Sequence, residues 1–265
     1  MTFKSFITSS IVGGMVAVSA LSAANAADLT VGANIGNVPW EFQDVDGKIV
    51  GFEVDLVTEV AKRLGKSVEF VNIPFNGLFP AVQSGRIDMA VSSITITDKR
   101  LESVTFAQPY YDSDQSLTVT ADSGIDGMKG MTDKVVGVDT GSTGDMWVNA
   151  HGAEYKLADT RRYEGLSPAM LDLAAGRIDG YISDIPALQY YVKDKPNLKV
   201  VERIATGEKY SIMFNKDASL ATEVNGILTE LKKEGFIAGL HETWFGAKPE
   251  DTTSTVSVMD MPTVK

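Results

Sequence analysis

The four-residue phrase Gly-Arg-Ile-Asp occurs twice in this chain, at residues 85–88 and again at residues 176–179. The copies are 91 positions apart, and each leads through three further residues into a polar pair, Ser92-Ser93 or Ser183-Asp184. Each copy predicts a helix stopped by its glycine, then a short buried strand, then polar residues at the carboxyl end of that strand. The repeat therefore indicates two lobes of the same local architecture, with a chance match between two helix-to-strand turns as the alternative.

A second pair of similar segments supports the same interpretation. Residues 31–34 read Val-Gly-Ala-Asn and residues 136–139 read Val-Gly-Val-Asp, so each predicts a strand that ends in a small polar residue. Ligands of open α/β sheets bind beyond the carboxyl ends of the strands. Two facing lobes would bring six such polar residues to one cleft: Asn34, Ser92, Ser93, Asp139, Ser183 and Asp184.

The N-terminal segment has the composition of a secretory signal peptide. Lys4 precedes an apolar, small-residue stretch at 6–21, and Ala24-Asn25-Ala26 fits the A-x-A cleavage pattern. We predict that residues 1–26 are this signal peptide and that the mature chain begins at Ala27. A membrane-spanning helix is the weaker alternative, because the apolar stretch is short and diluted with serine and glycine.

Composition limits the cell compartments and the classes of binding partner that fit this chain. The chain has no cysteine, which excludes disulfides, thiol nucleophiles, cysteine metal sites and a lipid anchor at the cleavage site. Export without a lipid anchor favours the periplasm of a Gram-negative cell. The net charge is −11 and no basic run exceeds Arg161-Arg162, so nucleic acid and anionic lipid are poor partners. We expect a monomer without a cofactor, and no membrane insertion after cleavage.

The succession of strand and helix patterns predicts that the chain crosses between the lobes twice. The predicted division is residues 27–117 for the first lobe, 118–210 for the second, 211–250 for the return to the first, and 251–265 for a C-terminal tail. The tail lacks periodicity from residue 252 onward, which predicts disorder. Two crossings make a hinge, and a cleft between hinged lobes can close on a small ligand.

Local signals in the second lobe give three further expectations. Ser167 is expected to cap the helix that ends near Gly176. A short strand is expected at 157–158, and two separate strands are expected at 198–204 and 210–214.

Several ordered motifs resemble those of a known protein family. Residues 51–56 resemble the signature G-F-D/E-V-D-L, residues 93–100 resemble S-I-T-I-T-x-x-R, and residues 106–111 resemble F-S-x-P-Y-Y. The loop at 135–144 and Trp244-Phe245-Gly246 are also similar to family segments. Over about residues 28–250 the chain resembles the periplasmic polar amino-acid-binding proteins of ABC importers, family 3 of the bacterial extracellular solute-binding proteins.

This resemblance implies both a fold and a function. The fold is α/β and two-lobed, the type II periplasmic-binding-protein fold, in which each lobe is a mixed sheet flanked by helices and a two-strand hinge joins the lobes. The function is that of a receptor, not an enzyme, which captures a polar amino acid in the cleft between the lobes and delivers it to the membrane permease of an ABC importer.

The resemblance also assigns roles to individual residues. It implies that Arg100 holds the α-carboxylate of the ligand together with Thr95 and Thr143, and that Asp184 holds the α-ammonium group. The residue types suit these roles, because a guanidinium binds a carboxylate through two parallel hydrogen bonds. The loop at 140–144 can direct backbone N–H groups at an anion, but no lysine follows Gly144, so it is not a nucleotide P-loop.

The predicted side-chain pocket is polar. Phe75 matches an aromatic wall of the family, whereas Asn37 stands where a second aromatic residue is expected, unless Trp40 replaces that ring. With Asn34 and Asp139 the pocket favours a polar neutral or cationic side chain over an acidic one, although Arg161 or Arg162 could reach in. The predicted ligand-binding set is Arg100, Asp184, Thr95, Ser93, Thr143, Phe75, Asn34, Asp139, Ser92 and Asn37, with no catalytic residue and no metal ligand.

Two other functions remain open from the sequence. One is an exported dehydratase of the same fold, acting on a cyclic amino acid or acid, with Glu41 or Asp139 as the general acid. The other is a ligand-sensing partner of a membrane receptor. His151 and His241 are the only histidines, and neither has a second metal-ligating residue at helical spacing, so a catalytic triad or a histidine metal site is disfavoured.

Overall fold

The structure is a computed structural model that describes residues 1–2 and 27–264. The predicted signal peptide therefore lies outside the described residues, apart from Met1 and Thr2. Among the residues described, no helix is long and apolar enough to cross a membrane.

The described chain forms strands and helices that alternate through most of the sequence. The strands are β1 (Leu29–Ala33), β2 (Phe42–Gln43), β3 (Ile49–Val50), β4 (Val68–Asn72), β5 (Met89–Ala90), β6 (Val104–Phe106), β7 (Tyr111–Thr120), β8 (Val135–Asp139), β9 (Asp159–Tyr163), β10 (Gly180–Asp184), β11 (Leu198–Tyr210) and β12 (Met213–Asn215). The helices are α1 (Phe52–Arg63), α2 (Phe75–Gln83), α3 (Asp98–Leu101), α4 (Thr143–His151), α5 (Leu166–Ala174), α6 (Ile185–Val192), α7 (Ser219–Lys233) and α8 (Phe236–Phe245).

Two five-stranded mixed sheets form the two lobes, and they have the same topology. The first sheet has the order β4-β1-β5-β12-β6, and the second, written in the same direction, has the order β9-β8-β10-β7-β11. In each sheet the first three strands are parallel, and the fourth is antiparallel to both of its neighbours. The strands at the two sequence repeats occupy matching positions, β1 with β8 and β5 with β10, so the predicted similarity of the lobes is confirmed.

Helices cover both faces of each sheet. On the first sheet, α1, α7 and α8 bury one apolar cluster, and α2 buries a second cluster on the opposite face. On the second sheet, α4 covers one face, whereas α5 and α6 cover the other. These four clusters supply the hydrophobic burial that holds a cysteine-free chain together.

The Gly-Arg-Ile-Asp repeat does the same local work in both lobes. Gly85 and Gly176 follow α2 and α5 with φ of 71° and 67°, a left-handed conformation that glycine adopts at no steric cost. The isoleucines that follow are 3% and 2% exposed, and each contacts a glycine in the neighbouring strand. A Cβ built on Gly32 would lie 2.4 Å from Ile87 Cδ1, and one on Gly137 would lie 2.6 Å from Ile178 Cδ1. The two pairs of sequence repeats therefore pack against each other.

The aspartates of the repeat are equivalent as well. Asp88 accepts a hydrogen bond from the backbone N–H of Thr30 at 2.7 Å, and Asp179 accepts one from Val135 at 2.8 Å. Each carboxylate thus fixes the first residues of the adjacent parallel strand. Glycine, isoleucine and aspartate each have a defined role, which explains why the phrase recurs.

The two crossings between the lobes are the long strands β7 and β11. They pair with each other from Tyr111 opposite Tyr210 to Thr120 opposite Leu198, with register shifts on the way. Residues 198–210 form one continuous strand, so the prediction of separate strands at 198–204 and 210–214 is wrong. Gly207 has a φ of 66° and lies in one of these irregularities, which bends the strand without ending it.

Two smaller predictions for the second lobe are also corrected. The N-cap of α5 is Gly165, and Ser167 lies inside the first turn of the helix. The strand expected at 157–158 is β9, which starts two residues later at Asp159 and pairs with β8 along its whole length. In the first lobe, residues 44–48 form the turn of a hairpin between β2 and β3.

The C-terminal residues 252–264, which we name the C-terminal strap, are packed against the hinge. The prediction of disorder is therefore wrong for this segment. Ser254 is 1% exposed, and its N–H and Oγ donate to Asp112 of β7 at 2.8 and 2.6 Å. Lys209 of β11 donates to Ser254 Oγ at 2.9 Å, and Lys232 donates to the carbonyl of Ser257 at 2.9 Å. The strap thus contacts both hinge strands through polar groups that hydrophobic periodicity does not reveal.

Candidate functional site

A cavity of about 30 Å³ lies between the lobes, at the carboxyl ends of β1, β5, β8 and β10. Its lining comes from both lobes and is mostly polar. It consists of Asn34, Asn37, Phe75, Ser92, Ser93, Thr95, Asp139, Ser142, Thr143, Leu166, Ser183 and Asp184. Nine of the ten residues in the predicted ligand-binding set line the cavity, and Arg100 does not.

The lobes contact each other directly around this cavity. Ser93 Oγ of the first lobe donates to Asp184 Oδ2 of the second at 3.0 Å. Asn34 Nδ2 donates to the carbonyl of Glu164 at 3.2 Å, and the Thr95 and Thr143 hydroxyls lie 3.5 Å apart. These contacts narrow the cleft, so entry of an amino acid requires the lobes to separate or these side chains to move.

Arg100 lies behind Thr95. Its Nη1 donates to the carbonyl of Thr95 at 2.6 Å and its Nη2 donates to the carbonyl of Gly141 at 3.2 Å, so the side chain joins the two lobes. The guanidinium carbon lies 5.0 Å from the ring centre of Phe79 and 5.4 Å from that of Phe75. Burial lowers the pKa of Arg100 to about 10, although the charges of nearby carboxylates oppose this shift.

Asp184 occupies the N-cap position of α6, but its carboxylate is turned into the cleft. Within residues 27–264 its side chain makes no capping hydrogen bond to the helix. It accepts hydrogen bonds from Ser93 and, at 2.5 Å, from Gln115 Nε2 instead. Burial, followed by the charge of Glu208, raises the pKa of Asp184 to about 7.

Asp139 is the second carboxylate that lines the cavity. Its Oδ1 is buried and has no donor at hydrogen-bonding distance among the described residues, although the Tyr181 hydroxyl is near enough to oppose the rise in its pKa. Burial raises the pKa of Asp139 to about 7. A carboxylate oxygen that is buried without a donor is costly unless a cation or a donor meets it. Asp139 therefore marks a place where the cleft is short of positive charge.

Three of the polar cleft residues donate hydrogen bonds to a buried pair of glutamates, Glu41 and Glu53. Ser92 Oγ donates to Glu41 Oε1 at 2.6 Å, and Asn37 Nδ2 donates to the same oxygen at 3.3 Å. The N–H of Ser93 donates to Glu53 Oε1 at 2.9 Å, and Ser93 has a φ of 44°, which is rare for a residue with a side chain.

The two glutamates are close enough to perturb each other. Both are fully buried. Burial, followed by the charge of Glu53, raises the pKa of Glu41 well above the ordinary value, and burial raises the pKa of Glu53 as well. Two carboxyl groups that interact inside a protein disfavour each other's ionisation, so the pair favours a form that keeps a proton.

Gln115 and Glu208 are cleft-side residues that the sequence analysis missed. Gln115 Nε2 donates to Glu208 Oε1 at 2.9 Å and lies 3.2 Å from Thr143 Oγ1. Both residues are on hinge strands, and Glu208 fell into a gap between two predicted strands. Side chains alternate between the two faces of a strand. If the strand had been predicted to continue past Gly207, this alternation would have placed Glu208 on the same face as Tyr210.

Several residues considered from the sequence lie elsewhere. Trp40 is fully buried in an aromatic cluster that includes Phe52 and Tyr111, so it does not replace the aromatic ring missing at position 37. Arg161 and Arg162 pair with Asp172 and Asp145 respectively, outside the cavity lining.

The histidines are also outside the cleft. His151 stacks on Trp147 with ring centres 4.8 Å apart, and His241 stacks on Tyr111 at 5.6 Å. Among the described residues, no group of three or more histidine, aspartate or glutamate side chains is placed to hold a metal ion.

Comparisons with known proteins agree with this geometry. The model of the bacterial extracellular solute-binding proteins, family 3, matches residues 29–247. The chain is 32% identical over 228 residues to the L-cystine-binding protein TcyJ of Escherichia coli, covering 83% of each chain.

Solved structures give the same result. The arginine-, lysine-, histidine-binding protein ArtJ of Geobacillus stearothermophilus is 31% identical with a TM-score of 0.76, covering 84% of this chain and 97% of that one. An ancestral arginine-binding protein bound to arginine is 35% identical with a TM-score of 0.77, covering 82% of this chain and 98% of that one.

These relatives are named for binding and not for catalysis, which favours the receptor over the dehydratase alternative. The family match spans both sheets and the hinge strands that join them. The chain belongs to family 3 of the bacterial extracellular solute-binding proteins.

Proposed function

We propose that the protein is the extracytoplasmic receptor of an ABC importer and that it captures an amino acid with a cationic side chain. The observation that carries the choice of ligand is the charge of the cavity lining. Among the described residues that line it, Asp139 and Asp184 are the charged ones, and both are acidic. Each has a pKa raised to about 7 by burial, so each would be ionised more fully beside a cation.

The proposed division of labour separates the ligand's main chain from its side chain. Asp184 binds the α-ammonium group, while Arg100, Thr95 and Thr143 donate hydrogen bonds to the α-carboxylate. Arg100 and Asp184 come from opposite lobes, so both can hold the ligand only when the cleft is closed. Binding therefore requires the closed arrangement of the lobes, and the closed, ligand-bound form is the one that docks on the permease.

The remaining residues of the predicted set form the side-chain pocket. Phe75 supplies one aromatic wall, and Asp139 meets the side-chain cation. The other polar residues of this pocket are Asn34, Asn37, Ser92 and Ser93. Relatives named for arginine, lysine and histidine support a cationic ligand, although one relative is named for binding L-cystine.

The proposal includes a compartment. The protein acts as a monomer in the periplasm after removal of residues 1–26, where a receptor meets its ligand outside the inner membrane.

A thermal-shift screen of the common amino acids against the mature chain tests this function. Arginine, lysine or histidine should raise the melting temperature most, because a ligand at 100 times its dissociation constant stabilises the fold by about 2.7 kcal/mol. Titration calorimetry of the best ligand then gives the affinity. If leucine, phenylalanine or glutamate binds most tightly, the proposed side-chain pocket is wrong, and if no amino acid binds, the receptor function itself is wrong.

A further inference from the structure

Glu208 is a buried carboxylate on the hinge strand β11, and its side chain reaches the cleft. It is 5% exposed and accepts hydrogen bonds from four donors. Its Oε2 accepts from Thr95 Oγ1 at 2.6 Å and from Thr143 Oγ1 at 2.9 Å. Its Oε1 accepts from Gln115 Nε2 at 2.9 Å and from Thr206 Oγ1 at 3.1 Å.

These donors come from both lobes and from both hinge strands. Thr95 belongs to the first lobe, Thr143 begins α4 of the second lobe, and Gln115 and Thr206 lie on the two hinge strands. One carboxylate group therefore joins both lobes to the hinge. Separation of the lobes must break at least one of the two threonine hydrogen bonds.

The two threonines have no second proton to give. A hydroxyl group carries one hydrogen, so a threonine that donates to Glu208 cannot donate to another acceptor at the same time. Thr95 and Thr143 are the same hydroxyls that the proposed function assigns to the carboxylate of the ligand. The side chain of Glu208 and a ligand carboxylate are thus alternative acceptors for one pair of donors.

We propose that Glu208 is a built-in carboxylate that competes with the ligand's carboxylate for Thr95 and Thr143 and latches the lobes together until the ligand displaces it. The competition rests on the proposed function, whereas the latch rests on the contacts of Glu208 alone. When the ligand takes the threonines, Glu208 keeps its contacts to Gln115 and Thr206. Binding then exchanges one set of hydrogen bonds for another, which limits the affinity for any amino acid with a free carboxylate.

The negative charge of Glu208 also disfavours a ligand carboxylate near Arg100. The nearby charges of Glu208 and Asp184 both favour the charged form of Arg100. A ligand carboxylate that approaches Arg100 meets the negative charge of Glu208 at the same place. A ligand without a carboxylate does not meet this repulsion, and it has no use for the two hydroxyls.

The test compares arginine with agmatine, which has the same side chain and lacks the carboxylate. Calorimetry measures the two affinities in the wild type, Glu208→Ala, Glu208→Gln and the control Glu202→Gln. Glu202 is on the same strand outside the cleft lining, where it accepts a hydrogen bond from the backbone of Met128 at 2.6 Å. Each variant is first checked for folding by circular dichroism.

Competition predicts a change in the ratio of the two affinities. Glu208→Ala should bind arginine at least ten times more tightly than the wild type does, without tightening agmatine, and Glu208→Gln should fall between them. Glu202→Gln should match the wild type for both ligands. Arginine binding that is unchanged or weaker in the folded Glu208 variants would overturn the competition.

Small-angle X-ray scattering without any amino acid tests the latch separately. Glu208→Ala should have a larger radius of gyration than the wild type, because the lobes lose their shared acceptor, and Glu202→Gln should not. Equal radii would overturn the latch. If no amino acid binds the wild type, the proposed function fails, but the scattering result still decides whether Glu208 holds the lobes together.

Discussion

Ser93 Oγ donates a hydrogen bond to Asp184 Oδ2 at 3.0 Å, and the two residues are 91 positions apart, the same distance that separates the two copies of the Gly-Arg-Ile-Asp repeat. They are therefore equivalent residues of the two lobes, each just beyond its repeat strand. The lobes meet across the cleft at the same point of their shared architecture. A ligand that reaches Asp184 must therefore separate it from Ser93.

Asp184→Asn should weaken ligands that carry an α-amine far more than their des-amino analogues. The asparagine keeps the shape and the N-cap position but loses the charge, and removal of one member of a desolvated charge pair costs about 2–5 kcal/mol of binding free energy. Calorimetry with arginine and 5-guanidinovaleric acid measures the difference. Equal losses for both ligands would exclude Asp184 as the partner of the ammonium group.

Arg100→Ala should remove amino-acid binding while the protein stays folded. The guanidinium is held in place by the carbonyls of Thr95 and Gly141 and by two phenylalanine rings. Its proposed partner is the carboxylate of the ligand, and loss of one member of such a buried charge pair costs about 2–5 kcal/mol of binding free energy. Arg100→Lys keeps the charge without the planar fork and should recover only part of the affinity. Near-wild-type affinity in a folded Arg100→Ala protein would show that Arg100 is not part of the site.

Asp139→Asn should change the pH dependence of stability in the ligand-free protein. Burial raises the pKa of Asp139 to about 7, above its value of about 3.9 in an unfolded chain. Between these values the folded state keeps a proton that the unfolded state releases, so this group makes the wild type less stable as the pH rises.

An asparagine at position 139 does not ionise, so the variant does not lose stability in this way as the pH rises. The free energy of unfolding of Asp139→Asn relative to the wild type should therefore increase with pH from about 4 to about 7, by up to about 1.4 kcal/mol per pH unit. Urea denaturation at several pH values in this window measures it. A difference that does not vary with pH would mean that Asp139 titrates normally.

Glu41→Gln should become more favourable to stability as the pH rises above the ordinary pKa of glutamate. The pKa of Glu41 is raised by burial and by Glu53, so its ionisation disfavours the folded state, and a neutral glutamine avoids that cost. Glu59→Gln is the matched control with the opposite sign. Its hydrogen bonds with Lys62 and Arg63 hold the pKa of Glu59 below the usual range, so its contribution to stability is lost as the pH falls. Urea denaturation extended below pH 4 should show the Glu41→Gln difference rising above the ordinary pKa of glutamate and the Glu59→Gln difference falling with pH below it. A Glu41→Gln difference that does not vary with pH would refute the raised pKa of Glu41.

Deletion of residues 252–265 should destabilise the protein and loosen the hinge. The strap supplies hydrogen bonds to Asp112, Lys209 and Lys232, and two or three net hydrogen bonds are worth about 2–4 kcal/mol of unfolding free energy. Val258→Ala, at a side chain 47% exposed in the same segment, should have little effect. Urea unfolding measures both, and a fully stable truncated protein would show that the strap contributes nothing.

The sequence predicted well where a residue has a local role. The repeated glycine ends a helix, the repeated isoleucine packs on a glycine, and the repeated aspartate holds a strand, so both lobes and the polar residues beyond their strands could be inferred. The other four cavity-lining residues of the predicted set came from the family resemblance: Thr95, Thr143, Phe75 and Asn37. Glu208 and Gln115 were missed because their positions depend on the pairing of two distant strands. The strap was missed because it packs through serine, lysine and backbone groups, which leave no apolar period in the sequence.

The position of β12 also has a consequence for the order in which the protein assembles. The second sheet is built from one uninterrupted stretch, β7 to β11, so it can form from contiguous chain. The first sheet cannot be completed in this way, because β12 lies between β5 and β6 and is synthesised only after all of the second. Pairings between segments so distant in sequence are slow to form. We therefore expect the N-terminal lobe, although it is made first, to finish folding last.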